Sequence, residues 1–516
     1  MILGNGSQRP QLSLCMIVRD NARTLDACLA SIAPHVDEMI VVDTGSLDET
    51  PEIARRYGAK VFFFPWIDDF SAARNESLRH SKGEWLFWMD SDDTIDEING
   101  KKLRELAYRA SASEVLGYVV QVHCPGPENG LTREATVVDH VKLIRNHPAI
   151  RFEHRIHEQI LGGIRRLGGQ VAWTDIFVVH SGSEHSPASK QRKYERDLRH
   201  LKLDLEERPD HPFILFNLGM TYDDMGAHAE AVQWFRRCLE VSHIEESHVR
   251  KAYALLANSL SELGELVEAR RVCREGIQYF ENDLELRFRE GILLHKLGEL
   301  LPSVESYRRV LEIQESRHFT SVDPSIGNVK ARHNLALVYE DLGRFDLAEM
   351  QWRLAIEVNE DFTSAYYALF AVLLKQRKFA TCVPLIQNWE SAQAPVNTPL
   401  LQAKLSAAKG DVATALQNYS ALLKSPSPDA EVLQSASQFY FEHEENFEAQ
   451  ESLQRLLEIR PQDAAAHFNL AMTRMRLGQH DLAMEAVKES IRLRPSYALA
   501  RALEVQLEQM TASTCQ

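Results

Sequence analysis

Hydrophobic residues follow two different rhythms along this chain, and the change falls near residue 205. Before it, short apolar runs alternate with amphipathic stretches. Leu12-Ser-Leu-Cys-Met-Ile-Val18 reads as a buried strand, 22–33 as a helix, 38–42 as a second strand and 50–57 as a second helix. A strand at 60–64, a helix at 72–80 and a strand at 84–89 continue the alternation. Short apolar runs bounded by turn residues mark strands buried on both faces. Strands alternating with helices predict a mainly parallel α/β sheet with short right-handed crossovers. Ligands of such sheets collect beyond the carboxyl ends of the strands.

After residue 205 the pattern repeats itself. A small residue recurs at Ala231, Ala269, Ser303, Ala348, Cys382, Ala415, Ala449 and Ala483, mostly 34 residues apart. Four residues later comes a larger apolar one: Phe235, Cys273, Tyr307, Trp352, Ile386, Tyr419, Leu453, Val487. Five before the small residue lies a turn position, glycine in six copies and Arg377 and Glu444 in the other two. The small column lets two helices approach closely and the larger one fills the groove between them, so both columns read as core packing. A 34-residue helix–turn–helix unit with these columns resembles the tetratricopeptide repeat, with Pro461 and Pro495 at its usual closing position. The resemblance covers 206–511: about eight repeats, an insertion loop at 315–330 and a capping helix at 496–511.

Composition narrows the partners. Of 516 residues, 44% are apolar and 26% charged, which is globular and excludes a disordered or collagen-like chain. Acids exceed bases, 74 against 58, and a net charge of −16 disfavours a phosphate-backbone partner such as nucleic acid. No apolar run approaches the roughly 18 residues that span a bilayer, and the N-terminus shows no signal peptide. Seven scattered cysteines without a Cys-x-x-Cys fit reduced thiols and a cytoplasmic setting.

Candidate chemistry sits at the strand ends. Strand one ends at Arg19-Asp20-Asn21, strand two at Asp43-Thr-Gly-Ser-Leu-Asp48 and strand four at Asp90-Ser-Asp-Asp93. No G-x-G-x-x-G follows the first strand and no G-x-x-x-x-G-K-[ST] occurs, so dinucleotide oxidoreductases and P-loop NTPases lack their fingerprints. Two carboxylates one residue apart at a strand end can face one hard divalent cation, with substrate phosphate oxygens completing its shell. An isolated Asp-x-Asp is more often a solvated turn, but Trp85-Leu-Phe-Trp-Met89 buries the approach and fixes the direction of the acids.

Four blocks then agree in order and spacing with one family. Ser13-Leu-Cys-Met-Ile-Val-Arg-Asp-Asn21, Ile40-Val-Val-Asp-Thr-Gly-Ser-Leu-Asp-Glu-Thr50, Asp69-Phe-Ser-Ala-Ala-Arg-Asn75 and Gly83-Glu-Trp-Leu-Phe-Trp-Met-Asp-Ser-Asp-Asp93 resemble family 2 glycosyltransferases of the GT-A fold. With Arg155-Ile-His-Glu-Gln159, His180 and the repeats, the chain is similar to the SunS-like peptide glycosyltransferases, and in its catalytic part to lipopolysaccharide-core glucosyltransferases. His154 stands where a small residue is usual.

The resemblance implies a catalytic domain over 1–205, a tetratricopeptide superhelix over 206–511, and roles for single residues. Asp43 would accept from the nucleotide base, the chain around Met16–Arg19 would line the nucleoside pocket, and Arg74 would contact the nucleotide or its diphosphate. Asp90, Asp92 and His180 would hold Mn2+ or Mg2+. Lys190, Arg192 and Lys193 stand where a basic segment would cover the diphosphate, or where a helix would simply face solvent. Glu158 is the candidate base for displacement at the anomeric carbon, with Asp93 as its rival. The expected activity is metal-dependent inverting transfer from a nucleotide-sugar, a UDP-sugar first, to a peptide, protein or glycan acceptor. Polar positions of the first helices of the repeats, Asn217, Asp224, Asn258 and Asn334, are expected to hydrogen-bond a protein partner in the groove. The competing reading is a non-catalytic scaffold with a degenerate sugar-nucleotide domain. A nucleotidyltransferase would need a Gly- and Arg-rich first loop, and none follows Val18.

Overall fold

The computed structural model describes residues 10–514 apart from 110–113, 125–135, 182–185, 314–322 and 324. Leu12–Val18 (β1), Glu38–Asp43 (β2), Lys60–Phe63 (β3) and Trp85–Trp88 (β4) are the parallel half of an eight-stranded sheet. Ala22–Ile32 (α1), Thr50–Arg56 (α2) and Phe70–His80 (α3) connect them. Alternate residues of β1 bury on opposite faces: Leu12, Leu14 and Met16 against Leu25 and Leu29 of α1, and Cys15 against Leu78 of α3 and Leu86. The expected strands and helices up to residue 89 are all present, with ends shifted by a residue or two.

The other half of the sheet brings the site together. Asp93–Thr94 (β5), Val115–Cys124 (β6), Thr136–Arg145 (β7) and Gln170–His180 (β8) follow, with Glu97–Arg109 (α4) and Leu161–Arg166 (α5). The strand order is β3-β2-β1-β4-β7-β6-β8-β5. β7 runs antiparallel to both β4 and β6, β8 lies parallel to β6, and β5 pairs antiparallel with β8. The mostly parallel sheet therefore turns mixed beyond β4.

Pro187–Glu207 (α6) leads into the repeats. By its internal contacts the chain forms two compact units, one up to Asn359 and one from Glu360. In the first, the helices are Pro212–Asp224 (α7), His228–Val241 (α8), Val249–Glu262 (α9), Leu266–Tyr279 (α10), Leu284–Lys296 (α11), Leu300–Glu312 (α12), Ala331–Asp341 (α13) and Phe345–Val358 (α14). The first repeat packs on α6 and on the loop after β7: Ile156, Leu201, Ile214 and Leu218 form one buried cluster. Arg155 N donates to Asp204 Oδ2 of α6 at 3.0 Å, and the Asp204 side chain is buried. Most of the insertion loop expected at 315–330 lies outside the described residues; Ile326–Lys330 is a wide helical turn leading into α13. The second unit continues the paired helices from Thr363–Lys375 (α15) to Ala498–Thr514 (α23), the last extending the capping helix expected at 496–511.

Every member of the small column is fully buried, and the larger column is at most 3% exposed. The turn column explains its two exceptions. Glycine at Gly343 and Gly410 has φ +69° and +80°, and Arg377 and Glu444 adopt the same left-handed turn, at 56° and 65°. The turn geometry persists where the glycine does not, at the expense of strain in a residue carrying a Cβ. Glu444→Gly is therefore expected to stabilise the second unit by about 0.5–1 kcal/mol, read as a higher urea midpoint. An unchanged or lower midpoint would show that the turn is unstrained.

Candidate active site

The ends of β1 and β2 are tied into one rim. Asp20, in a left-handed conformation (φ 51°), accepts from Leu47 N at 2.7 Å, and its own N–H donates to Ser46 Oγ at 3.0 Å. Asp43 is buried at the end of β2, where its carboxylate accepts from Ser46 N at 3.1 Å and from Ser46 Oγ. Thr44 N donates to Val18 O at 3.0 Å and closes the two strand ends together. Above the rim lies a cavity of about 560 Å³ whose wall includes Arg19, Thr44, Arg74, Asp90 and Asp92. Arg19 is exposed in it; Asp43 stands beneath the rim and is not part of its wall.

The turn after β4 is built from paired charges. Asp90 accepts from Arg74 Nη2 at 2.7 Å, and Arg74 Nε donates to Glu158. Arg74 is 9% exposed and its guanidinium lies 4.6 Å over the Trp88 ring. Burial disfavours its charge, but Asp90 and Glu158 outweigh that and hold it above the ordinary guanidinium value. Burial likewise acts to raise the Asp90 carboxyl; Arg74 and Lys142 reverse the effect and hold it well below the usual range. Lys142 of β7, 1% exposed, places Nζ 2.8 Å from Asp93 and 4.0 Å from the Trp88 ring centroid. Asp93 is fully buried, so burial raises its carboxyl, and Lys142 with His180 brings it below the ordinary value. A buried charge stripped of its partner is worth several kcal/mol of destabilisation, so each of these pairs is obligatory once the turn is buried.

Sheet pairing supplies the histidine. β5 and β8 set Asp93 directly opposite His180, and Ser181 donates to Asp92 O through both its N–H (3.0 Å) and its hydroxyl (2.7 Å). His180 Nδ1 lies 2.9 Å from Asp93 and 3.5 Å from Asp92. Its hydrogen bond to Asp93 pushes the ring above the ordinary imidazole value. Burial, with Asp90 and Asp93 nearby, pushes the Asp92 carboxyl up while His180 opposes the rise. Among the described residues, Asp90 is matched by Arg74 and Asp93 by Lys142, whereas Asp92 faces only His180. One ligand atom each from Asp92, Asp93 and His180 lies within 4.8 Å of the others. Oxygen and imidazole donors converging beside an undercompensated carboxylate fit a hard divalent cation. Asp90, expected as a ligand, pairs with Arg74 in this structure, and Asp93, named as a rival base, belongs to the converging group.

A second cavity, of about 470 Å³, adjoins the first; Phe70, Arg74, Asp90 and Arg196 line both. Its sheet side carries Trp88, His140 and Glu158, and its far wall is the first two repeats, with Phe213, Phe216, Asn217 and Met220 of α7 and Lys251 of α9. His154, at φ 77°, turns the chain just before Glu158, which explains why a small residue suits that place. Asn217 lines this cavity with its amide donating to Phe213 O at 2.7 Å, while Asn258 accepts from Arg289 at 2.6 Å. Lys190 is exposed on α6 and lines neither cavity. One to three turns further along the same helix, Lys193 faces the second cavity, Arg196 both, and Arg199 the first. Lys142, His140, Arg196 and Arg199 escaped the sequence reading. Their only signals were polar residues alternating inside the apolar run of β7 and a basic face repeating at helical spacing.

Residues 13–169 match the family model for glycosyl transferase family 2. Tetratricopeptide repeat models match 212–296, 329–362 and 440–498. A TPR repeat-containing protein of Synechococcus elongatus is 29% identical over 363 residues, 68% of this chain and 76% of that one. The SPbeta prophage-derived glycosyltransferase SunS of Bacillus subtilis is 22% identical over 266 residues, 51% of this chain and 61% of its own length. A glucosyl-3-phosphoglycerate synthase of Petrotoga mobilis is 38% identical over 93 residues, 17% of this chain and 28% of that one. No described helix is long and apolar enough to cross a membrane. The chain thus joins a family 2 glycosyltransferase domain to a run of tetratricopeptide repeats.

Proposed function

We propose that this protein moves a sugar from a nucleotide-sugar donor, with UDP-sugars the first to test, to a polypeptide or glycan acceptor by a single inverting displacement. The observation that carries this reading is the meeting of two cavities at the Glu158–Arg74–Asp90 chain. The donor would occupy the first cavity, where the rim of β1 and β2 recognises the nucleoside: Arg19 at its wall and Asp43 beneath, freed from Ser46 to accept from the base. Arg196 and Arg199 of α6, with Arg74, supply cationic charge beside the diphosphate.

Asp92, Asp93 and His180 would hold the divalent cation, manganese or magnesium, which supplies counter-charge to the departing diphosphate. Around it the chain's own residues keep the geometry: Lys142 fixes Asp93, and Ser181 fixes the backbone at Asp92. Arg74 keeps Asp90 and Glu158 together at the boundary, so that donor and acceptor enter from opposite sides and meet in one orientation. The acceptor would occupy the second cavity. Because α7 and α9 form its far wall, the first repeats shape acceptor choice directly, and a polypeptide segment lying on those helices is the favoured acceptor.

Two outcomes test this reading. Release of UDP from UDP-sugars, measured with manganese present, is expected to vanish in Asp92→Ala and in excess chelator, with manganese restoring only the unmutated protein. Full turnover in excess chelator would remove the cation from the account. Arg74→Met is expected to destabilise the first unit by about 3–5 kcal/mol, since it strands two carboxylates, and adding Glu158→Gln should recover part of that loss in thermal melting. A melting temperature unchanged by Arg74→Met would show that the ion-pair chain does not hold the boundary.

A further inference from the structure

Among the described residues, His140, His157 and Lys193 line the acceptor-side cavity outside any ion pair, and His140 is the one set against Trp88. His140 lies two residues before Lys142, on the same face of β7. Both stand against Trp88, the imidazole edge-on with its centroid 5.8 Å from the indole and the ammonium 4.0 Å from the ring centre. The carboxylates around it are engaged: Glu158 and Asp90 by Arg74, Asp93 by Lys142 and His180. The His140 ring is exposed to the cavity, and among the described residues neither of its nitrogens has a hydrogen-bond partner. A polar ring in a concave, partly apolar cavity that Glu158 and the aromatic residues of α7 also line takes its partner from whatever fills that cavity.

We infer that His140 is the catalytic base of this site, one of its ring nitrogens accepting the proton of the acceptor nucleophile. The inference rests on the reading of the second cavity as the acceptor's. As the nucleophile's bond to the anomeric carbon forms, its proton passes to His140. The bond from that carbon to the diphosphate oxygen breaks, and its electron pair leaves on the diphosphate. The resulting imidazolium sits beside Lys142 and returns its proton to water. Partial enclosure by the cavity walls, then the Lys142 ammonium with Arg74, against the opposing Asp90 and Asp93, lower the pKa of the ring. It is therefore neutral throughout the neutral range but a weaker base than a free imidazole, so what it contributes rests on its placement in the cavity. Glu158, bound by Arg74, is left to position that guanidinium.

Water entering the second cavity undergoes the same step, so the test needs no native acceptor. The full-length protein is assayed with manganese and the UDP-sugar it hydrolyses fastest, alongside calorimetric binding of UDP and thermal melting. His140→Ala is expected to slow UDP release by about 10²–10⁴-fold with KM, UDP affinity and melting unchanged, and added imidazole should restore part of the rate. His140→Gln, which keeps the ring's polar volume, should be equally slow without rescue. Undiminished hydrolysis by folded His140→Ala overturns the inference, as does a slow variant that imidazole fails to rescue or whose UDP affinity falls in parallel. If Glu158→Gln alone abolishes turnover with UDP affinity and melting intact while His140→Ala does not, the base is Glu158. Failure of the unmutated protein to bind UDP or UDP-sugars would instead overturn the donor reading, and this inference with it.

Discussion

Crowding three carboxylates into one turn creates a charge problem, and the way it is solved organises the rest of the catalytic domain. After β4, Asp93 is fully buried while Asp90 and Asp92 are partly buried at the cavity wall, and a buried carboxylate stripped of its partner is costly. Two cations answer it, Arg74 at Asp90 and Lys142 at Asp93. The third carboxylate has only His180. Since Arg74 is also shared with Glu158, the turn is left short of positive charge at the point where three ligand atoms converge, which fits the proposed divalent cation. Trp88, with Arg74 and Lys142 both within cation–π distance of its ring, is the apolar surface on which the pairs are assembled.

Topology delivers each partner from a different element. Arg74 rises from α3 on one face, Lys142 comes from β7 because that strand pairs antiparallel with β4, and His180 arrives through the β5–β8 pair. The change from parallel to mixed pairing beyond β4 is therefore what completes the site. The same arrangement makes α6 a bridge: it supplies Arg196 and Arg199 to the first cavity and leads into α7, whose Phe213, Phe216 and Met220 close the second. The loop after β7, α6 and the first repeat share one core at Ile156, Leu201, Ile214 and Leu218, so the repeats begin as part of the wall of the second cavity.

Much of this was legible in the residues, and what was not had a physical reason. β1 to β4 are apolar on both faces and bounded by turns, and the buried columns of the repeats recur at a fixed spacing, so periodicity alone located them. Arg377 and Glu444 looked like decayed turns, yet their backbones remain left-handed; a turn held by two packed helices outlasts the residue that favours it. Beyond residue 89, β6 to β8 gave no comparably regular pattern, and their pairing is long-range. Lys142 is the clearest loss: a lysine between Val141 and Leu143 reads as a strand's solvent face, whereas register places it beneath Asp93. Nor does the sequence show that Asp90, expected as a cation ligand, also pairs with Arg74. Lys190 was singled out for its charge, but helical phase gives the cavity Arg196 and Arg199 instead.

The account's central claim is that the charge-deficient turn receives a cation and a nucleotide on one side of the Arg74 boundary. A crystal structure of the protein with manganese and UDP, using anomalous scattering from the metal, tests it most directly. The account predicts an anomalous peak bounded by Asp92, Asp93 and His180, with UDP in the cavity lined by Arg19 and Thr44 and its diphosphate toward Arg196. A peak between Asp90 and Glu158, or UDP seated against Phe213 and Met220 of the first repeat, would contradict it.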